Sequence, residues 1–202
     1  MILSNVEIHK ALDQKRLVIT PEPTPRTPRP GAPKEYCPYD AHTVDLTLHS
    51  KIVVPSPGTY AYDLTQADPL STFLSRTSKE YTIDEGRFFV LERHEFVLGM
   101  TRESVHLPIG HEINKRDNIC LAARIEGKSS RARCGLLVHF TAPTIHPDWE
   151  GQLTLEMINL GPARILLRPG MPIAQLIIEE VKGIPFADVS QFQGQTSPEG
   201  KH

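Results

Sequence analysis

Sulfur, aromatic rings and surplus charge are all scarce in this chain, and each scarcity removes a class of protein. There are three cysteines, Cys37, Cys120 and Cys134, scattered and odd in number. A disulfide scaffold is therefore excluded and reduced thiols are expected. No Cys-x-x-Cys or His-x-Glu pattern occurs, and the nine histidines are dispersed; no protein-bound metal, zinc included, is expected. Aromatic residues make up 6% and the formal net charge is −2. A nucleic-acid surface carries a basic excess, so no nucleic-acid partner is expected. No apolar run approaches membrane-spanning length and the first residues carry no signal-peptide pattern, which points to the cytoplasm and away from membranes. Gly127-Lys128-Ser129 resembles the end of a phosphate-binding P-loop, but Ala122 stands where the earlier glycine is required, so a P-loop is rejected.

What is present suits one globular domain spanning 1–202, with 39% hydrophobic and 23% charged residues. Ser4-Asn5-Val6-Glu7 matches a capping box, and Ile8, Ala11 and Leu12 follow at helical spacing, predicting a helix over 5–15. A brief strand at 17–19 leads into a proline-rich arm or loop over 21–36, read first as a linker, with an arm crossing to a neighbouring subunit as the lesser alternative. Alternation then predicts strands at 43–48 and 51–54, with a turn at 55–58. Residues 63–81 show no clear period and read as an insertion with a helical turn near 69–74. Short strands follow at 87–91, 95–100, 104–107, 165–167 and 174–181. Many short strands between turns predict an all-β sandwich or distorted barrel. The tail, 183–202, is polar and poorly patterned, and flexibility is expected there unless something orders it.

The chain is organised around residues 121–159. They hold a polar turn over 126–133, a half-buried strand, a Pro/Asp turn and a second strand with strict alternation. In that strand Leu153, Leu155 and Met157 share one face, while Gln152, Thr154, Glu156 and Ile158 share the other. A carboxylate between Leu155 and Met157 needs a partner or a purpose. The donors of 128–133 suit phosphate oxygens, but a charged hairpin turn is the simpler reading of composition alone. Likewise an isolated strand glutamate is more often salt-bridged than catalytic, and His139 in an apolar run is more often a core histidine than a ligand.

The residues GKSSRARCGL, then His139-Phe140-Thr141-Ala142, then Ile145-His146-Pro147-Asp148-Trp149-Glu150-Gly151, then Leu155-Glu156, resemble the signature of the dCTP deaminase family. Met1-Ile2-Leu3-Ser4, Val44-Asp45-Leu46, Glu95-Phe96-Val97-Leu98, Arg168-Pro169-Gly170-Met171 and Gln193-Gly194-Gln195 fit as well. The resemblance covers most of the chain. It implies a mainly β, distorted jelly-roll barrel of the dUTPase-like type with a short N-terminal helix, assembled as a homotrimer with active sites between subunits. It further implies zinc-independent hydrolytic deamination of dCTP to dUTP and ammonia, supplying dUMP for thymidylate synthesis. Glu156 is then the proton shuttle, and Ser129, Arg133 and the carbonyl of Ala142 position the attacking water. Lys128, Ser129, Ser130, Arg131, Ala132 and Arg133 bind phosphates, with Mg²⁺ held chiefly by the triphosphate. Thr154 and Leu155 present backbone groups to the base, His146 lies at the sugar, and Gln191 and Gln195 of the tail contact the nucleotide.

This chain departs from the pattern at three places. His146 replaces the usual aspartate, and Asp148 replaces glycine two residues on. In diphosphatase relatives that aspartate activates water for phosphate cleavage, so His146 argues against a bifunctional deaminase–diphosphatase or a dUTP diphosphatase, the alternative enzymes. Gln191 and Phe192 replace the usual lysine and tyrosine, altering the phosphate clamp, and Phe186 stands where a phosphate-binding tyrosine is usual. Arg131, normally apolar, adds a charge. A non-catalytic nucleotide-binding module on the same fold is the alternative of another class; Ser129, Arg133 and Glu156, all present, argue against it.

Overall fold

A computed structural model of the chain describes residues 1–28, 37–63, 65, 70–110, 112–186 and 192–200. The first helix, α1 (Asn5–Asp13), starts where the capping box places it: Ser4 Oγ accepts from the Glu7 backbone N–H at 3.5 Å, and Ile8, Ala11 and Leu12 are its buried stripe. β1 (Val18–Thr20) follows. The proline-rich segment then turns back on α1, where Arg26 pairs with Asp13 and Glu22, each at 2.6 Å. Its described part, up to residue 28, is thus held by its own helix.

Three antiparallel sheets wrap one core. The largest runs β4 (Ser78–Thr82), β3 (Lys51–Pro55), β6 (Phe96–His106), β10 (Glu150–Asn159), β8 (Leu136–Val138), with β1 also paired to β6. The second runs β2 (Val44–Thr47), β12 (Pro172–Lys182), β7 (Ile119–Gly127), β9 (Thr144–Ile145), and the third pairs β11 (Ile165–Leu167) with β5 (Phe89–Leu91). Leu46, Leu91, Val97, Ile125, Leu155 and Met157, all essentially unexposed, fill the space between them. Each such side chain contributes about 1.5–3 kcal/mol over an exposed one. Gly99 packs closely there: a Cβ on it would lie 2.6 Å from Met157 Cε, so the end of that side chain would have to shift. The mainly β, distorted jelly roll with a short N-terminal helix is as expected. Among the described residues no helix is long and apolar enough to cross a membrane.

Several elements differ from the sequence expectation. The helical turn expected at 69–74 is a helix, α2 (Leu70–Thr77), and it runs directly into β4, which the sequence did not reveal. β4 is an edge strand, SKEYT, almost wholly exposed, so it has no apolar alternation to detect. The two strands expected at 95–100 and 104–107 are one strand, β6. The break between them is a bulge, where Thr101, Arg102 and Glu103 face the single Leu153 of β10. Thr101 Oγ1 accepts from the Leu153 N–H at 2.9 Å and donates to Glu103 O at 2.7 Å, so the bulge's polar groups are satisfied partly within it and partly by β10. α3 (Glu112–Asp117) and the short turn α4 (Ser129–Ala132) are further helices that periodicity did not predict.

Candidate active site

β10 carries the site because its alternation is complete. Leu153, Leu155 and Met157 point into the core, and Gln152, Thr154, Glu156 and Ile158 are half-buried on the opposite face. β6 lines one side of the strand, with Glu156 opposite Leu98, and β8 lines its C-terminal half, with Met157 opposite Val138. The chain leaves β8 through His139, whose backbone N–H donates to Glu156 O at 2.8 Å and whose φ is +56°. That left-handed residue folds the following turn back over the sheet. His139 Nε2 lies 2.6 Å from Ala142 O, closing the turn, while its buried Nδ1 has no partner. The turn brings Thr141 onto the carboxylate, and its hydroxyl donates to Glu156 Oε2 at 2.7 Å. The turn that reaches Glu156 thus also carries Ala142, one residue after Thr141, with the Ala142 carbonyl facing His139 Nε2. Thr141, quoted only as part of a motif, is a contact the sequence did not assign.

Two residues earlier on the same face, about 7 Å along the strand, Thr154 meets the tail. Gln195 is 5% exposed, and its amide donates to Gln152 O at 2.8 Å and Thr154 Oγ1 at 3.0 Å. Thr154 Oγ1 in turn donates to Pro198 O at 3.3 Å. Gln193 Nε2 donates to Asp148 O at 2.7 Å, and the Gly194 N–H donates to Glu150 O at 2.7 Å, fastening the tail to the turn that carries His146. Residues 192–200 of the tail, for which flexibility is expected unless something orders it, are seated on β10. His146 itself is exposed at the head of that turn, and Leu155 faces the core with only its backbone available. Gln191 lies outside the described residues.

The donor-rich loop forms a third group. It is a helical turn, with the Ala132 N–H donating to Lys128 O at 2.9 Å and the Arg133 N–H to Ser129 O at 3.2 Å. Ser129, Ser130, Ala132 and Arg133 are exposed; Arg131 is half-buried with an unpartnered Nε. Gly135, at φ +87°, lets the loop rest on the turn after β10, because a Cβ there would lie 2.2 Å from Gly161 N. Among the described residues no hydrogen bond or ion pair joins residues 128–133 to Glu156, Thr154 or the tail. Lys128 differs from its neighbours: its ammonium is engaged by Asp45, not exposed. No group of three or more metal-ligating side chains gathers among the described residues.

Fold and site together define a mainly β domain with the Glu156 carboxylate half-buried on the outward face of β10, a tail laid beside it and a separate donor-rich loop. The profile of a family described as dCTP deaminase-like matches residues 2–181. A dCTP deaminase of Pectobacterium atrosepticum is 39% identical over 186 residues, covering 91% of this chain and 86% of the relative. A "dCTP deaminase, dUMP-forming" of Tropheryma whipplei is 35% identical over 205 residues, covering 98% and 90%. Among solved structures, 2'-deoxycytidine 5'-triphosphate deaminase from Agrobacterium tumefaciens shares the fold, with a TM-score of 0.58 and 19% identity. That match covers 88% of this chain, which spans about half (47%) of that one. The chain belongs to the dCTP deaminase-like family.

Proposed function

We propose that the protein deaminates dCTP hydrolytically to dUTP and ammonia, with Glu156 as the proton shuttle. The observation that carries this reading is the placement of the Glu156 carboxylate: half-buried on the outward face of β10, held by the Thr141 hydroxyl from the turn that also carries Ala142, and two residues from Thr154. A pyrimidine lying along β10 reaches the backbone of Thr154 and Leu155 with one edge and presents its amine-bearing carbon to Glu156. Water held at the Ala142 carbonyl gives one proton to Glu156 as its oxygen attacks that carbon, and Glu156 passes this proton to the ring nitrogen. Glu156 then takes the remaining proton from the added hydroxyl and delivers it to the amine, which leaves as ammonia as the C–N bond breaks and the carbonyl forms. Zinc has no part in this sequence, and Mg²⁺ enters on the triphosphate.

Ser129 and Arg133 belong to this chemistry as donors that orient the water and polarise the ring. Within one chain they face outward from a loop that makes no bond to Glu156. That supports a homotrimer in which one copy's loop completes another copy's β10 face. His146 at the sugar and Gln195 at the tail close the remaining sides.

Incubation with dCTP, dCMP and dUTP plus Mg²⁺, followed by chromatography, tests the reading. dUTP without pyrophosphate from dCTP is the expected result, and Glu156→Gln is expected to abolish it with nucleotide binding and fold retained. Near-normal turnover by that variant removes Glu156 from the mechanism. A second reading, a bifunctional deaminase–diphosphatase, is favoured by the similarity to a dUMP-forming relative; dUMP and pyrophosphate from dCTP would establish it. Binding without any turnover would leave a nucleotide-binding module. A zinc-specific chelator is expected to leave turnover unchanged, whereas removing Mg²⁺ weakens it.

A further inference from the structure

Lys128 is the first residue of the donor-rich loop, but its ammonium is turned away from the loop's exposed face and paired with Asp45. The pair is well shielded, with the Asp45 side chain 6% exposed and that of Lys128 18%. It is built by register. In the sheet β2-β12-β7, Gln175 stands opposite Asp45 on one side and Glu126 on the other, so the end of β7 delivers Lys128 beside Asp45. Gln175 Nε2 donates to Asp45 Oδ1 at 3.3 Å and to Thr43 Oγ1 at 3.2 Å, fixing the carboxylate from the middle strand. The ammonium thus ties the entry of the loop to β2, across β12. Gly135 resting against Gly161 ties its exit.

We infer that Lys128 is a positioning residue for the loop and not one of its phosphate contacts. Resting on the functional reading above, the inference leaves phosphate contact to the exposed Ser129, Ser130 and Arg133, the half-buried Arg131 and the loop's backbone. A cation already spent on a shielded carboxylate adds little attraction for each further phosphate. What it contributes is the loop's place, which matters equally for any nucleotide the loop touches.

Binding of dCMP, dCDP and dCTP by calorimetry separates the two roles. Lys128→Met is expected to weaken all three by one common factor, about tenfold, in the range of coupling between contacting residues. Asp45→Asn is expected to do the same, and the Lys128→Met/Asp45→Asn double variant to be no worse than either. Lys128→Arg, which keeps a cation opposite Asp45, recovers most of the affinity. Arg133→Gln supplies the contrast, with a loss that grows from dCMP to dCTP. A Lys128→Met loss that grows with phosphate number, together with near-normal binding by Asp45→Asn, overturns the inference. Should the single variants fail to fold, the charge-free double variant carries the same test, and a phosphate-dependent loss in it overturns the inference equally. A wild-type chain that binds none of the three nucleotides overturns the functional reading itself.

Discussion

The Thr141 hydroxyl donates to Glu156 Oε2 at 2.7 Å, joining residues 15 apart in sequence across the pairing of β8 with β10. A strand carboxylate with one oxygen so held keeps its other oxygen aimed at whatever lies on the outward face. Thr141→Val keeps the shape and removes the donor. In the deaminase reading, kcat is expected to fall about tenfold, the effect of about 1.4 kcal/mol at the transition state, with KM changed by less than about twofold. Ammonia release under saturating dCTP measures it. A raised KM at unchanged kcat would make Thr141 a binding residue instead.

The tail offers an independent check on the same strand. Gln195 supplies hydrogen bonds to Gln152 O and Thr154 Oγ1 from a buried position, and each is worth about 0.5–1.5 kcal/mol. Gln195→Ala is expected to raise KM for dCTP about tenfold and leave kcat within about threefold, because the tail lies beside Thr154 rather than at Glu156. Steady-state kinetics on the purified variant decide this. A lowered KM would mean that the seated tail obstructs the nucleotide.

Much of this arrangement was legible in the sequence, and the parts that were not share a physical cause. The alternation of Leu153, Leu155 and Met157 with Thr154 and Glu156 predicts β10 and the outward carboxylate, because a strand with one buried face must alternate. The capping box predicts α1 for a similarly local reason. β4 was invisible because an exposed edge strand has no face to bury. The bulge at Thr101–Glu103 looked like a loop because its polar residues are satisfied by Thr47 and Leu153, far away in sequence. Lys128 resembled a free phosphate ligand because its partner, Asp45, is 83 residues distant. Local patterns report burial, and long-range pairing decides which charged groups remain available.

Glu103 shows what that long-range pairing holds together. It is 5% exposed, and its carboxylate accepts from the Thr47 backbone N–H at 2.8 Å and the Thr47 hydroxyl at 2.6 Å, clasping β2 to the bulge of β6. Glu103→Ala removes two hydrogen bonds to a charged acceptor and leaves an unpaired N–H. A destabilisation of about 2–4 kcal/mol is expected from urea unfolding. Glu103→Gln, which retains an acceptor oxygen, is expected to lose less. Equal, small losses in both would show that the clasp contributes nothing to stability.

His49 makes the fold's stability depend on pH. It sits between β2 and β3, where burial lowers its pKa first, with the positive charges of Lys51 and Arg102 adding to the effect. Its Nδ1 accepts from the Lys51 backbone N–H at 3.2 Å, a bond only the neutral form of that nitrogen can make. The folded chain therefore takes up this proton at lower pH than the unfolded chain, whose imidazole titrates near 6.5. Above that value neither state is protonated and the contribution is complete. As pH falls below about 6.5 towards the lowered folded value, the unfolded state binds more protons and stability is lost. His9, lowered by burial and by Arg26, acts in the same direction. The urea midpoint is expected to fall between pH 7.5 and 5.5, a window above most carboxylate titrations. His49→Asn keeps an acceptor for Lys51 but cannot be protonated, so its midpoint is expected to fall less, the remainder coming from His9. A variant with the full wild-type slope would place the pH dependence elsewhere.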